Sequence, residues 1–339
     1  MVPSTFPNPA YRAIWPMEEL MRRGHDVRFL ETPYGSELPS VERFADRDVV
    51  YMWQMFVTNV RAYVKALQEA GVAVIWDSDD DVSAVPKGAV NYRAVGGMQG
   101  QRVWREMQTM VRTVDAVTTT GEALAAKFRT TGQPEVHTIE NFLPDVGRQG
   151  STSRGDVVVG WVAAGEHSTD AAAIGLRETL ARMLDAHPGL RFETVGVALD
   201  LRTPQYHRIG IVAITELRGC IERWDIGIAP LADTQFNRAR SNVKLKEYAA
   251  VGVPWLASPI GPYAGLGEEQ GGRLVGDGEW FDAIVDLAGD RKARKKLGAK
   301  AYKWAKTQTI AKNADQWERV LERAIEVRRL ASERPRATV

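Results

Sequence analysis

Arg240–Ser258 reads RSNVKLKEYAAVGVPWLAS, and its reading decides the fold. Ser241 and Asn242 are good helix N-caps, and Val243 opens an apolar-periodic run. Val243, Leu245, Tyr248, Ala249 and Ala250 supply a packed side. Gly252 suits the C-cap, and Pro254 prevents the helix from continuing. The following PWLAS is a short apolar run of strand type. The stretch is therefore a loop, a helix over 243–251, a turn and a strand over 254–257, a repeating piece of a parallel α/β sheet. Lys244 lies in the first helical turn, behind Arg238 and Arg240. Cations at a helix start cost about 0.3–1 kcal/mol each unless an anion joins them. Free N–H groups at Ser241–Lys244 and the neighbouring cations point to a diphosphate. Glu247 lies at i+3 from Lys244, where a carboxylate can accept from sugar hydroxyls. The alternative is a solvated basic helix start with a Lys244–Glu247 surface pair.

The same alternation extends in both directions. The first half reads as strands at 26–30, 49–53, 72–76, 116–119 and 136–139. Amphipathic helices separate them at 12–23, 57–70, 101–112 and 122–129. Strands spaced by helices of this length indicate βαβ units. DVGRQGSTSRGD, Asp145–Asp156, has no apolar face and reads as a linker between domains. Beyond it lie strands at 157–162, 191–195, 209–213, 226–229 and 254–257. Helices are expected at 170–186, 216–223 and 243–251, then at 279–287, 291–306 and 314–330. The expected organisation is an N-terminal acceptor-side Rossmann-like domain over 1–148 and a linker at 149–156. A nucleotide-sugar-binding Rossmann-like domain follows over 157–310. The last helix, 311–332, can cross back to the first domain. The two domains are expected to face a cleft.

The chain has 339 residues, 44 Lys plus Arg and 43 Asp plus Glu, so no global field selects nucleic acid or membrane. The one cysteine, Cys220, excludes a disulfide framework and a thiolate-rich metal site. No basic segment followed by an apolar core opens the sequence, and no run is long enough to span a bilayer. The expected location is the cytoplasm.

Trp224–Tyr263, WDIGIAPLADTQFNRARSNVKLKEYAAVGVPWLASPIGPY, resembles the donor-binding region of GT-B glycosyltransferases of the retaining group-1, family 4-like type. VVVGWVAAGEHSTD resembles that family's first donor-domain strand and glycine loop. VDAVTTTGEALAAKF with VHTIENF resembles the end of the acceptor domain. GGRLVGDGEWFDAIVDLAGD resembles the segment closing the donor domain, and NPAYRAIWPMEELMRRGHDV the first helix. The resemblance implies a glycosyltransferase moving a sugar from a nucleotide-diphosphate sugar, with UDP or GDP as carrier, to an acceptor hydroxyl with retention. It implies no resident metal or cofactor. Glu247 matches the glutamate that holds the ribose. Eight positions earlier, where the family has another glutamate, stands Ala239. The family's Arg and Lys after the first donor-domain strand are also missing, which leaves the phosphate role to Arg238, Arg240 or Lys244.

Further candidates lie elsewhere. Asp77, Asp79, Asp80 and Asp81 follow a predicted parallel strand, where ligands bind. They can orient or deprotonate an acceptor hydroxyl, cap the next segment or hold a divalent ion. Gly165 and His167 follow the first strand of the second domain; glycine there lets amides approach a phosphate and His167 can donate to it, or the histidine is polar surface. Asp170 reads as a helix cap. The resemblance places Glu216 near the nucleotide and Arg12 at the crevice, with Trp53 also on the acceptor side. Arg291–Lys312 carries nine basic residues and no acidic one. Ala293, Leu297, Ala301 and Trp304 make its apolar face, so the lysines form a solvated back or an anionic-surface contact. The acceptor stays open among saccharide, lipid, protein and a hydroxylated DNA base. Alternatives to transfer are a sugar-nucleotide epimerase and a catalytically degenerate nucleotide-sugar-binding protein.

Overall fold

The computed structural model describes residues 9–31, 37–55, 60–89, 92–150 and 155–333. In chain order its elements are α1 (Trp15–Arg22), β1 (Val49–Trp53), α2 (Val60–Glu69), β2 (Ala73–Asp77), α3 (Tyr92–Val95), α4 (Gly97–Thr113), β3 (Ala116–Thr119), α5 (Glu122–Arg129) and β4 (Val136–Thr138). They continue with β5 (Val157–Ala163), α6 (His167–Ala173), α7 (Leu176–Ala186), β6 (Leu190–Gly196), β7 (Tyr206–Ile209), α8 (Ile214–Ile221) and β8 (Ile226–Ala229). Then come α9 (Gln235–Arg238), α10 (Val243–Ala249), β9 (Trp255–Ala257), β10 (Gly272–Leu274), α11 (Trp280–Gly289), α12 (Arg291–Ala305), α13 (Ile310–Asn313) and α14 (Asp315–Glu333).

The chain forms two compact units. One comprises Met1–Ser83, Met98–Asn141 and Ile310–Val339; the other comprises Ala84–Gly97 and Phe142–Thr309. Each is an α/β unit built on a parallel sheet, as the βαβ alternation requires. The first sheet runs β1-β2-β3-β4 and the second β10-β9-β8-β5-β6-β7. Every strand pair in both is parallel. Parallel strands are covered on both faces, so their sequences are continuous apolar runs: β2, β3 and β8 are buried along their whole length. In the first unit α14 lays Trp317, Val320 and Ala324 inward, packs on β2, and pairs Glu318 with Arg23 at 2.9 Å. Of the expected linker, residues 151–154 lie outside the described residues, as do residues 57–59 of the helix expected at 57–70.

Three element readings change. Residues 26–30 form no strand; Asp26 and Arg28 are drawn into ion pairs with Arg47 and Asp46, while Val27 and Leu30 line a cavity of about 450 Å³ beside β1. The strand expected at 209–213 is β7, which ends at Ile209. Its register is set by Phe192↔Tyr206, whose rings stack, and Ile211 is left 92% exposed. The helix expected at 170–186 is two helices, because Gly175 is left-handed (φ +63°) and starts α7 afresh.

The opening stretch folds as a helix ended by Gly252 (φ +76°), with the Val253 N–H returning to the Tyr248 carbonyl at 3.0 Å. Tyr248 ties this helix to the sheet: its hydroxyl donates to the Ile228 carbonyl (2.8 Å) and accepts from the Val162 N–H (3.1 Å). A β-carbon on Gly227 would come within 2.4 Å of the Tyr248 ring, so glycine is what lets the ring lie there. Among the described residues no helix is long and apolar enough to cross a membrane.

Candidate active site

In the second unit, β5 delivers the loop Ala164–Glu166 and the start of α6, while the turn after α9 delivers the start of α10. Helix α10 is shorter than expected, ending at Ala249, so its dipole is small and side chains carry the charge. Lys244 Nζ lies 3.0 Å from His167 Nε2, and His167 Nδ1 lies 2.9 Å from Asp170 Oδ2. Asp170 Oδ1 accepts from Asn237 Nδ2 (2.6 Å) and from the Ala232 N–H (3.3 Å). An ammonium only donates, which makes Nε2 the acceptor and places the ring proton on Nδ1, toward Asp170. Arg240 donates to Glu166 at 2.9 Å and lies over the Phe236 ring. The result is a relay of four side chains with a guanidinium beside it.

Burial, and then the neighbouring Arg240, pull the Lys244 ammonium down to about 7. Burial, with Lys244 and Arg240 nearby, also holds His167 well below the ordinary imidazole value, so the ring is neutral at pH 7. Burial raises Asp170, partly offset by the Asn237 hydrogen bond. Burial alone would raise Glu166; Arg240, the backbone and Lys244 together hold it below the usual range.

The sequence-predicted residues of this unit divide accordingly. Lys244, His167 and Arg240 come together. Glu247 is half-buried on the same helix, and its charge is felt by Lys244 and Tyr263. Asn242 caps the helix by position, with Ser241 half-buried before it. The Gly165 carbonyl is turned to the Ser168 hydroxyl (2.7 Å). Arg238 is exposed and held by both oxygens of Asp233 (2.6 and 2.7 Å). Glu216 is exposed and closes the first turn of α8 by accepting from the Ala213 N–H (3.3 Å). Asp170, expected as a cap, lies inside α6 as the bridge between His167 and Asn237. That role and Asn237 itself have no local sequence signature, because the partners are 67 residues apart.

In the first unit a second set lies at the carboxyl ends of β1, β2 and β3, where parallel sheets take ligands. Arg12 and Asp77 are both fully buried; Arg12 reaches Asp77 at 2.6 Å and also donates to the Ile139 carbonyl and to Asn141. Asp77 further accepts from Tyr51 (2.8 Å) and Thr118 (2.6 Å). This occupancy makes the pair a strut of the core. Asp81 is held by Lys127 (2.7 and 2.8 Å) and accepts from Ser83. Asp79 differs: burial first, then Asp80 and Asp77, push its carboxyl up to about 8. Gln54 donates to it from a left-handed backbone (φ +43°), an uncommon conformation for a residue with a side chain. Trp53 is buried beside it in sequence. Sequence reading has no signal for Gln54, whose conformation follows from its N–H bonding the Asp77 carbonyl at 2.8 Å. Among the described residues no group of three or more His, Cys, Asp or Glu is arranged to hold a metal ion, the aspartate run included.

No protein-family model matches the sequence, and no curated protein matches it. Solved structures match in fold. HepE of Anabaena, in complex with UDP and glucose, superposes over 95% of this chain and 98% of its own, with TM-score 0.64 and 14% identity. Sucrose-phosphate synthase of Thermosynechococcus elongatus does so over 98% and 95%, with TM-score 0.60 and 14% identity. S. aureus TarM, in a complex that includes UDP, matches 74% of this chain with TM-score 0.56 and 13% identity; the chain spans about half, 51%, of TarM's length. The fold is that of the GT-B glycosyltransferases.

Proposed function

We propose that this protein is a glycosyltransferase that moves a sugar from a nucleoside diphosphate sugar to an acceptor hydroxyl. The observation that carries the reading is the convergence of Arg240, Lys244 and the His167–Asp170 pair on one spot beside Glu247. Arg240 is paired with Glu166, while the half-buried Lys244 faces a neutral imidazole, so a further anion arriving beside both is electrostatically favoured. The departing diphosphate is that anion. The bond from the sugar's anomeric carbon to the phosphate oxygen breaks, its electron pair goes to that oxygen, and the acceptor oxygen bonds to the anomeric carbon. Arg240 and Lys244 stabilise the growing negative charge, so no metal is invoked. With retention, as the group-1 resemblance implies, the acceptor's proton ends on the departing phosphate oxygen. Glu247 holds the ribose. Asp79 and Asp80 orient the acceptor, while Asp77 acts through Arg12 as a strut.

UDP is the proposed carrier, supported by the UDP and UDP-glucose complexes of HepE and the UDP complex of TarM. A thermal-shift panel of UDP-, GDP-, ADP- and TDP-sugars tests this, because a ligand that binds only the folded state raises its stability by mass action. The largest shift is expected with a UDP-sugar, and Glu247→Ala abolishes it. An unchanged shift in that variant removes the site.

A further inference from the structure

Two tyrosines, Tyr248 and Tyr263, share the apolar cluster that packs under α10, and the fold treats their hydroxyls differently. Tyr248 is fully buried, and its hydroxyl is satisfied by the Ile228 carbonyl and the Val162 N–H. Tyr263 is 2% exposed, and its hydroxyl has no hydrogen-bond partner among the described residues. A buried hydroxyl has given up its bonds to water, so leaving it unpaired is destabilising and native folds keep few such groups.

The local sequence puts it there. After β9 the chain turns sharply through SPIGPY, Ser258–Tyr263. Ser258 Oγ accepts from the Leu231 N–H (2.9 Å), and the Ile260 N–H donates to the Ser258 carbonyl (2.8 Å). Gly261 takes a left-handed backbone (φ +55°) and opens one tight helical turn, Gly261–Tyr263, with Pro262 inside it. A β-carbon on Gly261 would come within 2.7 Å of the Asn237 carbonyl and 2.8 Å of the Arg238 Cα. Glycine therefore lets this turn press against α9. Asn237 is the residue that holds Asp170, so the turn carrying Tyr263 abuts the Lys244–His167–Asp170–Asn237 relay.

The charges that act on this hydroxyl are those of the candidate site. Burial raises the phenol above its ordinary value; Arg240 opposes this, and Asp170 and Glu247 add to it. Those three residues come from α6, from the turn before α10 and from α10 itself. The phenol is thus neutral at pH 7 and able to donate. Arg240 and Glu247 are the residues given above to the diphosphate and the ribose. A neutral donor in their company adds a strong bond to an anionic oxygen without adding charge to a site that already holds Arg240 and Lys244.

We propose that Tyr263 is a donor-binding residue whose hydroxyl donates to the nucleoside diphosphate part of the sugar nucleotide. The proposal deepens the glycosyl-transfer reading and rests on it for the ligand. Calorimetric titration of UDP and GDP into the wild type and Tyr263→Phe tests it. For the nucleotide that the wild type binds, Kd is expected to rise about tenfold or more in the variant, the worth of one bond to a charged group. Its glucose conjugate, UDP-glucose or GDP-glucose, should weaken by the same factor. Because the hydroxyl bonds nothing in the free protein, Tyr263→Phe should melt at the wild-type temperature or above it. Tyr248→Phe, which breaks two bonds, should melt lower. Unchanged nucleotide affinity in Tyr263→Phe overturns the assignment, and so does a loss confined to the glucose conjugate. A lowered melting temperature for free Tyr263→Phe also overturns it, since the hydroxyl would then serve the fold. Absence of binding to either nucleotide by the wild type defeats the donor reading and this inference together, whereas wild-type binding that the variant fully retains defeats this inference alone.

Discussion

Lys244 Nζ lies 3.0 Å from His167 Nε2, at the end of a relay that continues through Asp170 to Asn237. The lysine is thus held against a neutral ring, with Arg240 as its cationic neighbour and Glu166, Asp170 and Glu247 as its acids. The ring it faces carries no charge at pH 7, so an arriving diphosphate adds a favourable electrostatic contact.

Donor binding is therefore expected to take up a proton. Free Lys244 titrates near 7, and a diphosphate beside it raises that value. Above pH 7 the free site must be protonated to bind, so Kd for a UDP-sugar rises with pH, approaching about tenfold per unit at most. Calorimetry in buffers of different ionisation enthalpy reads the proton directly. Lys244→Arg does not titrate in this range and should flatten the profile; a profile with the same slope would show that another group is responsible.

Asp170→Ala frees both the His167 ring and the Asn237 amide while both stay buried. Leaving such groups unsatisfied costs about 1–3 kcal/mol each, so urea unfolding should show a loss of about 2–4 kcal/mol. Turnover should fall further than stability explains, because Lys244 loses the ring that positions it. Asp170→Asn, which keeps an acceptor for one partner, should lie between.

Arg12 and Asp77 are each fully buried and make their charge-assisted bonds to one another. Removing one partner strands the other charge in the core, and either Arg12→Met or Asp77→Leu should cost about 3–5 kcal/mol. The double variant should be markedly less destabilised than the sum of the two, with the coupling measured by a double-mutant cycle. Additive losses would mean that the pair is not what holds these residues.

Glycine positions give a paired stability test. A β-carbon on Gly160 in β5 would fall 1.9 Å from the Trp224 ring, so Gly160→Ala forces a core aromatic to move at a cost of about 1–3 kcal/mol. Gly219 lies inside α8 with nothing within 4 Å of a β-carbon, and Gly219→Ala should stabilise by about 0.5–1 kcal/mol. Thermal melts of the two should move in opposite directions.

Much of the site's framework was legible in advance. Asn242 and Gly252 bracket α10, Asn242 by position and Gly252 by its left-handed backbone, and Lys244, Arg240 and His167 are residue types suited to an anion. Less legible was how the charges sort. Arg238 and Arg240 are equivalent in sequence terms, yet Arg238 is engaged by Asp233, five residues away, and Arg240 by Glu166, 74 residues away. In the aspartate run, Asp77 and Asp81 are taken by cations while Asp79 is left with raised basicity. Nothing in the spelling of Asp77–Asp81 distinguishes them.

The order of apolar runs and amphipathic stretches determined by itself that the chain builds two parallel sheets flanked by helices. That information is local: a short continuous apolar run makes a strand buried on both faces and a turn-length period buries a helix face, whatever lies elsewhere. Only the tertiary structure decided which cations are neutralised and which remain beside Glu247, and which of the two tyrosine hydroxyls under α10 is left unsatisfied. Those outcomes depend on side chains tens of residues apart meeting across a packed core, where burial removes water and makes each pairing decisive.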